Sequence, residues 1–416
     1  MRTTVPGRRS GARAALAALA AACLLAACGG DPSTLPNADL HGHTASGGSA
    51  TSGDGAATAP DSAASESSAA PANPAAQPVA LREGERFLEL RMPEPYTPQV
   101  PTVGTDEYRC VMIDPGLTQD AVITGTDFLP ANPALVHHVI LYTVAEEDVP
   151  AAEARDAAED GQGWTCFGGT GLDGVGGQDL NKAPWLGAWA PGGTEDVTSE
   201  GIGTALPKGS RVIMQIHYNL INGTSPDQSA ARLRIADDDG SYDYLHTLLL
   251  PAPVELPCRA GQTGTLCDRA EAMKDNAARF GDEAMLADLL HLLCGADAIG
   301  PTQTCTRPVA EDVVVRAVSG HMHLLGREIS VIANAGEPAE QTLLEIDNWD
   351  FDNQGATALA TSVSLTTEDT LTVTCTHDQS LRDQLPAFDG MPERYVVWGE
   401  GTTDEMCLGI VLYTES

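Results

Sequence analysis

The stretch LVHHVILYTV, residues 135–144, sets the reading of the chain. Most of it is apolar, β-branched or aromatic, so it reads as a core strand. Two imidazoles stand near its start. In a regular strand neighbouring side chains point to opposite faces. His137 and His138 can therefore serve one partner only if the strand is just beginning or the backbone is irregular there. LPANPAL, residues 129–135, supplies such an irregularity through Pro130 and Pro133. The plainer alternative is one buried and one exposed histidine.

Similar runs lie on either side. YRCVMI, AVITGTDF, SRVIMQIHYNL and ARLRI fall between Leu81 and Ile235, separated by turn-forming residues. YLHTLLL, DVVVRAVSGHMHLLG, REISVIA, TLTVTCTH, YVVWG and CLGIVLYT follow. Short β-rich runs at this spacing indicate an all-β chain of two tandem β-sandwich domains, residues 81–236 and 237–416. Aromatics at 5% and charged residues at 19%, with 42 Gly and 27 Pro, fit a turn-rich protein rather than long helices. Residues 258–308 break the pattern. DRAEAMKDNAARFGDEAMLADLLHLL has apolar residues at helical spacing, and Cys258, Cys267, Cys294 and Cys305 bracket it. This is expected to be a helical insertion in the second domain, stapled by its own disulfides, with His291 in a structural role.

Residues 1–28 read as a lipoprotein signal peptide. Arg2, Arg8, Arg9 and Arg13 precede an Ala/Leu run that ends in the lipobox Leu25-Ala26-Ala27-Cys28. The expected product is exported and tethered through lipid on Cys28 to the cell envelope, at an outer membrane or the cell surface. Residues 29–80, rich in Ala, Ser, Gly and Pro, carry too few large apolar side chains to fold and read as a flexible linker. His41 and His43 lie in it. Cleavage removes four arginines and no acids, so the 23 basic residues become 19 against 58 acids, a net charge of −39. Such a surface repels nucleic acid and anionic lipid. Eight cysteines remain after Cys23 and Cys28, an even number that suits disulfides in an oxidising compartment, and no CxxC pair suggests a thiolate metal site.

Several histidines sit inside apolar runs, where an unpaired imidazole is costly to bury. His321 and His323 in SGHMHLLG are two apart, so on a strand they share a face while Met322 points away. H-x-H is a moderately specific metal signal, with a hydrogen-bonded surface pair as the alternative. His217 in QIHYNL shares a face with Ile213 and Gln215. Met406 in GEGTTDEMC is flanked by acids and Cys407, and a thioether beside imidazoles is a soft site suited to Cu(I).

HHVILY, LGAWAPGG, LPKGSRVIMQIHYN, HMHLLG and GEGTTDEMC together resemble the copper type II, ascorbate-dependent monooxygenases. The resemblance spans residues 101–416 apart from the insertion. It implies two jelly-roll domains, one copper on each, facing across a solvent-filled cleft. On the matching positions His137, His138 and His217 would hold the electron-supplying copper, and His321, His323 and Met406 the copper that binds O2. It also implies the disulfides Cys110–Cys166 and Cys375–Cys407, and an external reductant such as ascorbate. The peptide-hydroxylating members carry an arginine where Ser319 stands, and an asparagine and a tyrosine where Leu408 and Ile410 stand. Their tyrosine ahead of the first cysteine is kept as Tyr108. Without the arginine a substrate carboxylate loses a bidentate partner, so a glycine-extended peptide is disfavoured and a more apolar substrate expected.

The leading expectation is a monomeric copper monooxygenase taking a small-molecule substrate and O2. A non-catalytic cell-surface copper-binding or interaction protein on the same scaffold is the alternative. A zinc hydrolase would need a general base near its ligands, for which Glu405 is the candidate.

Overall fold

The computed structural model describes residues 79–102, 104–172, 179–281, 284–295 and 299–416. The expected signal peptide, Cys28, His41, His43 and nearly all of the expected linker lie outside them.

The first half of the body contains β1 (Arg86–Arg91), β2 (Asp106–Ile113), β3 (Ala121–Leu129), β4 (Val136–Val144), β5 (Trp164–Thr165), β6 (Trp185–Trp189), β7 (Asp196–Val197), β8 (Ile202–Leu206), β9 (Arg211–Asn219) and β10 (Ala230–Asp237). One helix, α1 (Val149–Asp156), follows β4. β5-β2-β9-β4-β6 form one sheet, and β1-β10-β3-β8 belong to another. Alternation explains what lies between them. Val212, Met214, Ile216 and Tyr218 of β9 join Leu233 and Ile235 of β10 in one apolar core. The other face of β9 is buried too. Ile213 packs there with Trp164 and the Cys110–Cys166 disulfide. That bridge has a sequence separation of 56, worth about 4 kcal/mol in chain-entropy terms.

The second half contains β11 (Asp243–Pro251), β12 (Glu255–Leu256), α2 (Arg269–Phe280), α3 (Ala284–Cys294), β13 (Thr302–Pro308), β14 (Val313–His321), β15 (Gly326–Ala333), β16 (Gln341–Ile346), β17 (Thr357–Leu365), β18 (Thr370–His377), β19 (Val396–Val397) and β20 (Leu408–Glu415). β11-β20-β14-β17 face β13-β18-β15-β16 across a core that includes Leu250, Val315, Val331, Val373 and Val411. β12 pairs with β19. The strand content and layered sheets make the fold all-β.

Two features differ from the sequence reading. The sandwiches share a sheet, because β8 and β11 pair in parallel over Ile202–Gly203 and Asp243–Tyr244. The helical insertion holds two helices, separated where Gly281 takes φ 82°, and residues 302–308 are not part of it. They form β13, paired along its length with β18, and TQTCTRP shows the burial alternation of a half-buried strand. The insertion cysteines pair as Cys258–Cys267 and Cys294–Cys305. His291 Nε2 donates to Glu255 Oε1 at 2.7 Å, and Arg269 chelates the same carboxylate, which ties α3 and α2 to β12. Among the described residues no helix is long and apolar enough to cross a membrane.

Candidate metal centre

The adjacent histidines owe their geometry to a β-bulge. Against β9, Val136 pairs with Tyr218 and His138 with His217, so His137 is the additional residue on β4. The local kink turns both imidazoles toward β9. Ring centroids lie 5.2 Å apart for His137 and His217 and 4.6 Å for His138 and His217. One ligand nitrogen from each of the three rings lies within 4.8 Å of the others. His217 is fully buried and held from two sides. Its Nε2–H donates to Asp106 Oδ1 at 2.9 Å, and the Tyr108 ring stacks on it at 4.2 Å and 7°. With Nε2 protonated, Nδ1 is left to face His138 Nδ1 at 3.3 Å. The Thr402 hydroxyl donates to the same Asp106 oxygen, and Tyr108 donates to the Glu400 carbonyl at 2.9 Å. The loop that leads to Met406 is thereby tied to β2.

His321 is the last residue of β14, and His323 lies just beyond it, before the turn into β15. Alternation persists past the strand end. The two rings are 5.2 Å apart, while Met322 is buried in the core. His321 Nδ1–H donates to Gln354 Oε1 at 2.7 Å, and the Gln354 amide donates to the Phe351 carbonyl, which fixes that orientation. The Glu405 carboxylate is fully buried. It accepts from the backbone N–H of His323 at 3.0 Å and of Leu325 at 2.5 Å, and lies 3.4 Å from His377 Nε2. Burial opposes a charged His377, but the Glu405 carboxylate outweighs it and raises the imidazole above its ordinary range. With these partners Glu405 cannot serve as a solvent-accessible general base, which removes the structural basis of the zinc-hydrolase reading. Cys375–Cys407 forms beside Met406.

The two sets of imidazoles are not separated by an open cleft. The His138 and His321 rings meet edge-on at 5.8 Å, Phe351 stacks on His137 at 4.1 Å and 15°, and the same phenyl ring lies 6.3 Å from His323. Five imidazoles thus form one continuous cluster. Burial, then the neighbouring imidazoles, lowers His137, His138 and His323 well below the usual histidine range. Burial also lowers His321 to about 4, against the opposing Gln354 hydrogen bond. Neither ring nitrogen of His137 or His323 makes a well-formed hydrogen bond. Each such buried polar ring costs about 1–3 kcal/mol unless something satisfies it. Neutral imidazoles with unmet lone pairs are what a soft or borderline metal requires.

Residues 298–416 match the family described as copper type II ascorbate-dependent monooxygenase, C-terminal domain. No curated protein matches the chain. Among solved structures, the major capsid protein P2 of bacteriophage PM2 is 12% identical, covers 80% of this chain and 97% of its own, and has a TM-score of 0.28. A Paenibacillus xanthan lyase is 11% identical over 78% of this chain and 25% of its own, with a TM-score of 0.17. An allantoicase is 11% identical over 76% and 90%, with a TM-score of 0.17. Likenesses at these TM-scores add nothing to the reading of the fold or the site.

Residues of both sandwiches line a cavity of about 790 Å³. His138, His321 and Met406 line it, and so do Tyr108, Ser319, Leu408 and Ile410. Leu408, Ile410 and Leu412 occupy one face of β20, while Val411 and Tyr413 fill the core on the other. The insertion supports the Met406 loop. Arg279 of α2 chelates Asp404 with two contacts of 2.7 Å, and Asn276 donates to the Trp398 carbonyl at 3.0 Å. Asp106, Gln354, Phe351 and the anchoring role of Glu405 were not evident in the sequence. Each is a common residue type whose partner is far away in the chain, and only the Leu286, Leu289, Leu290, Leu293 spacing on α3 carried a signal.

Proposed function

We propose that the protein is a copper-dependent monooxygenase that hydroxylates a C–H bond. Two copper ions would be held, one by His137, His138 and His217 and the other by His321, His323 and Met406. Bound copper would supply one-electron redox chemistry and O2 activation, so that R–H, O2, two electrons and two protons give R–OH and water. The observation that carries the reading is that His138, His321 and Met406 line one cavity beside the His137-His138-His217 cluster, while residues 298–416 match the monooxygenase C-terminal domain.

The chain's own groups prepare that chemistry. Asp106 fixes the tautomer of His217, and Gln354 does the same for His321 by accepting a hydrogen bond from its Nδ1–H. Glu405 holds the His323 backbone one residue before Met406 and so brings the H-x-H segment to the methionine loop. Burial keeps the imidazoles neutral and able to bind metal. The reductant would be external, with ascorbate the first to try. An exported lipoprotein is the setting that suits disulfides and such a reductant. Fatty-acid labelling that survives in Cys28→Ser would rule out the lipid anchor.

The test is turnover of copper-loaded protein with ascorbate under ¹⁸O₂ and a panel of small apolar C–H donors. One ¹⁸O atom in an alcohol product is expected. Two stably bound, ascorbate-reducible coppers with no product from any donor would favour the non-catalytic copper-binding protein.

A further inference from the structure

The helical insertion forms part of the cavity wall. Leu286, Leu289, Leu290 and Leu293 of α3 all line it, and their spacing of i, i+3, i+4 and i+7 is one helical stripe. Leu290 is 1% exposed and packs into the core, whereas Leu289 and Leu293 remain 56% and 41% exposed although they line the cavity. Leu408 and Ile410 of β20 line the same cavity. Among the described lining residues there is no Lys or Arg, and the carboxylates of Asp196 and Glu400 are the only formal charges besides the histidines. A carboxylate or phosphate on the ligand would find no cation there, and a net charge of −35 would oppose its approach. The volume suits a drug-sized molecule.

We infer that α3 is a specificity element and that the cavity takes an uncharged, predominantly apolar substrate, which packs against Leu289 and Leu293 in a cavity that His138, His321 and Met406 also line. This rests on the monooxygenase reading for what happens to the substrate, but not for its binding. The tie from His291 and Arg269 to Glu255 positions the wall.

The probes are N-phenyl-1-naphthylamine, which is neutral, and its sulfonated counterpart 8-anilino-1-naphthalenesulfonate, used on the full chain without added copper. The neutral probe is expected to bind at one site with blue-shifted emission, and at least about tenfold more tightly than the anionic one. Leu289→Asp combined with Leu293→Asp places charge on exposed positions without opening the core, and should weaken the neutral probe about tenfold or more. Leu289→Ala with Leu293→Ala should weaken it less. Leu292→Asp, at a position 80% exposed and off the stripe, should leave binding unchanged. Equal affinity for both probes, or unchanged binding in the Asp pair, overturns the inference. Copper loading, followed by EPR on the same variants, is read separately. Its failure with probe binding intact would remove the monooxygenase reading and leave the apolar cavity standing.

Discussion

Replacing Glu405 by Gln tests the anchor of the H-x-H segment. The carboxylate accepts from the His323 and Leu325 amides and faces His377, all in a site sealed from water. Hydrogen bonds to a charged group contribute about 1.5–3 kcal/mol each, and breaking a buried pair costs about 3–5 kcal/mol. Glutamine keeps one acceptor oxygen, now neutral, but turns an NH2 toward the second donor. One bond is weakened and the other becomes a donor–donor clash, so a loss of about 3–5 kcal/mol is expected, a large share of an ordinary domain's ~5–15 kcal/mol. The assay is urea unfolding of the full chain, with site-resolved hydrogen exchange because the two sandwiches can unfold separately. The His323 and Leu325 amides should lose protection first. A change below about 1 kcal/mol, with those amides still protected, would refute the anchoring argument.

Three further outcomes are expected. Asp106→Asn should weaken copper at the three-histidine set about 10–100-fold by freeing the His217 tautomer, measured by competition with a copper chelator; unchanged affinity would show that His217 needs no orienting carboxylate. Burial raises the Glu255 carboxyl, but hydrogen bonds from Arg269, Tyr395 and His291 outweigh it and leave the group below its ordinary 4.5. The unfolded chain then takes up the proton first, so the stabilisation is complete at neutral pH and is lost as pH falls below about 4.5. Between pH 6 and about pH 3.5 the wild type should lose more stability than Glu255→Gln, in urea titrations, and parallel losses would contradict the clasp. Gly163 has φ 72°, and an added Cβ would lie 2.1 Å from the Cys110 carbonyl oxygen. Gly163→Ala should cost about 3 kcal/mol or more in thermal melts; a neutral result would mean the Cys110–Cys166 segment moves freely.

The long strands were legible because each is a β-branched or apolar run bounded by turn residues. β4, β9 and β14 lie within runs read from sequence, and β20 extends one residue beyond its run. The two-residue strands β5, β7 and β12 were not, since so short an element is defined by its partner and not by its own pattern, whereas β19 falls inside the run YVVWG. The paired histidines stood out because two imidazoles beside a core run are expensive without a purpose. The bulge that unites them needed the β9 register. Asp106 supports a residue 111 positions away, and nothing local marks it. The expected cleft gave way to ring contact because the β8–β11 pairing and the Thr402–Asp106 contact join the sandwiches, and both are long-range consequences of packing.

The most direct measurement is copper content together with X-ray absorption of the ascorbate-reduced full chain, in wild type and Met406→Ile. Two coppers per chain are expected, with a copper–sulfur contribution that disappears in Met406→Ile while the three-histidine copper remains. A single copper per chain, or sulfur scattering that persists without Met406, would contradict the account.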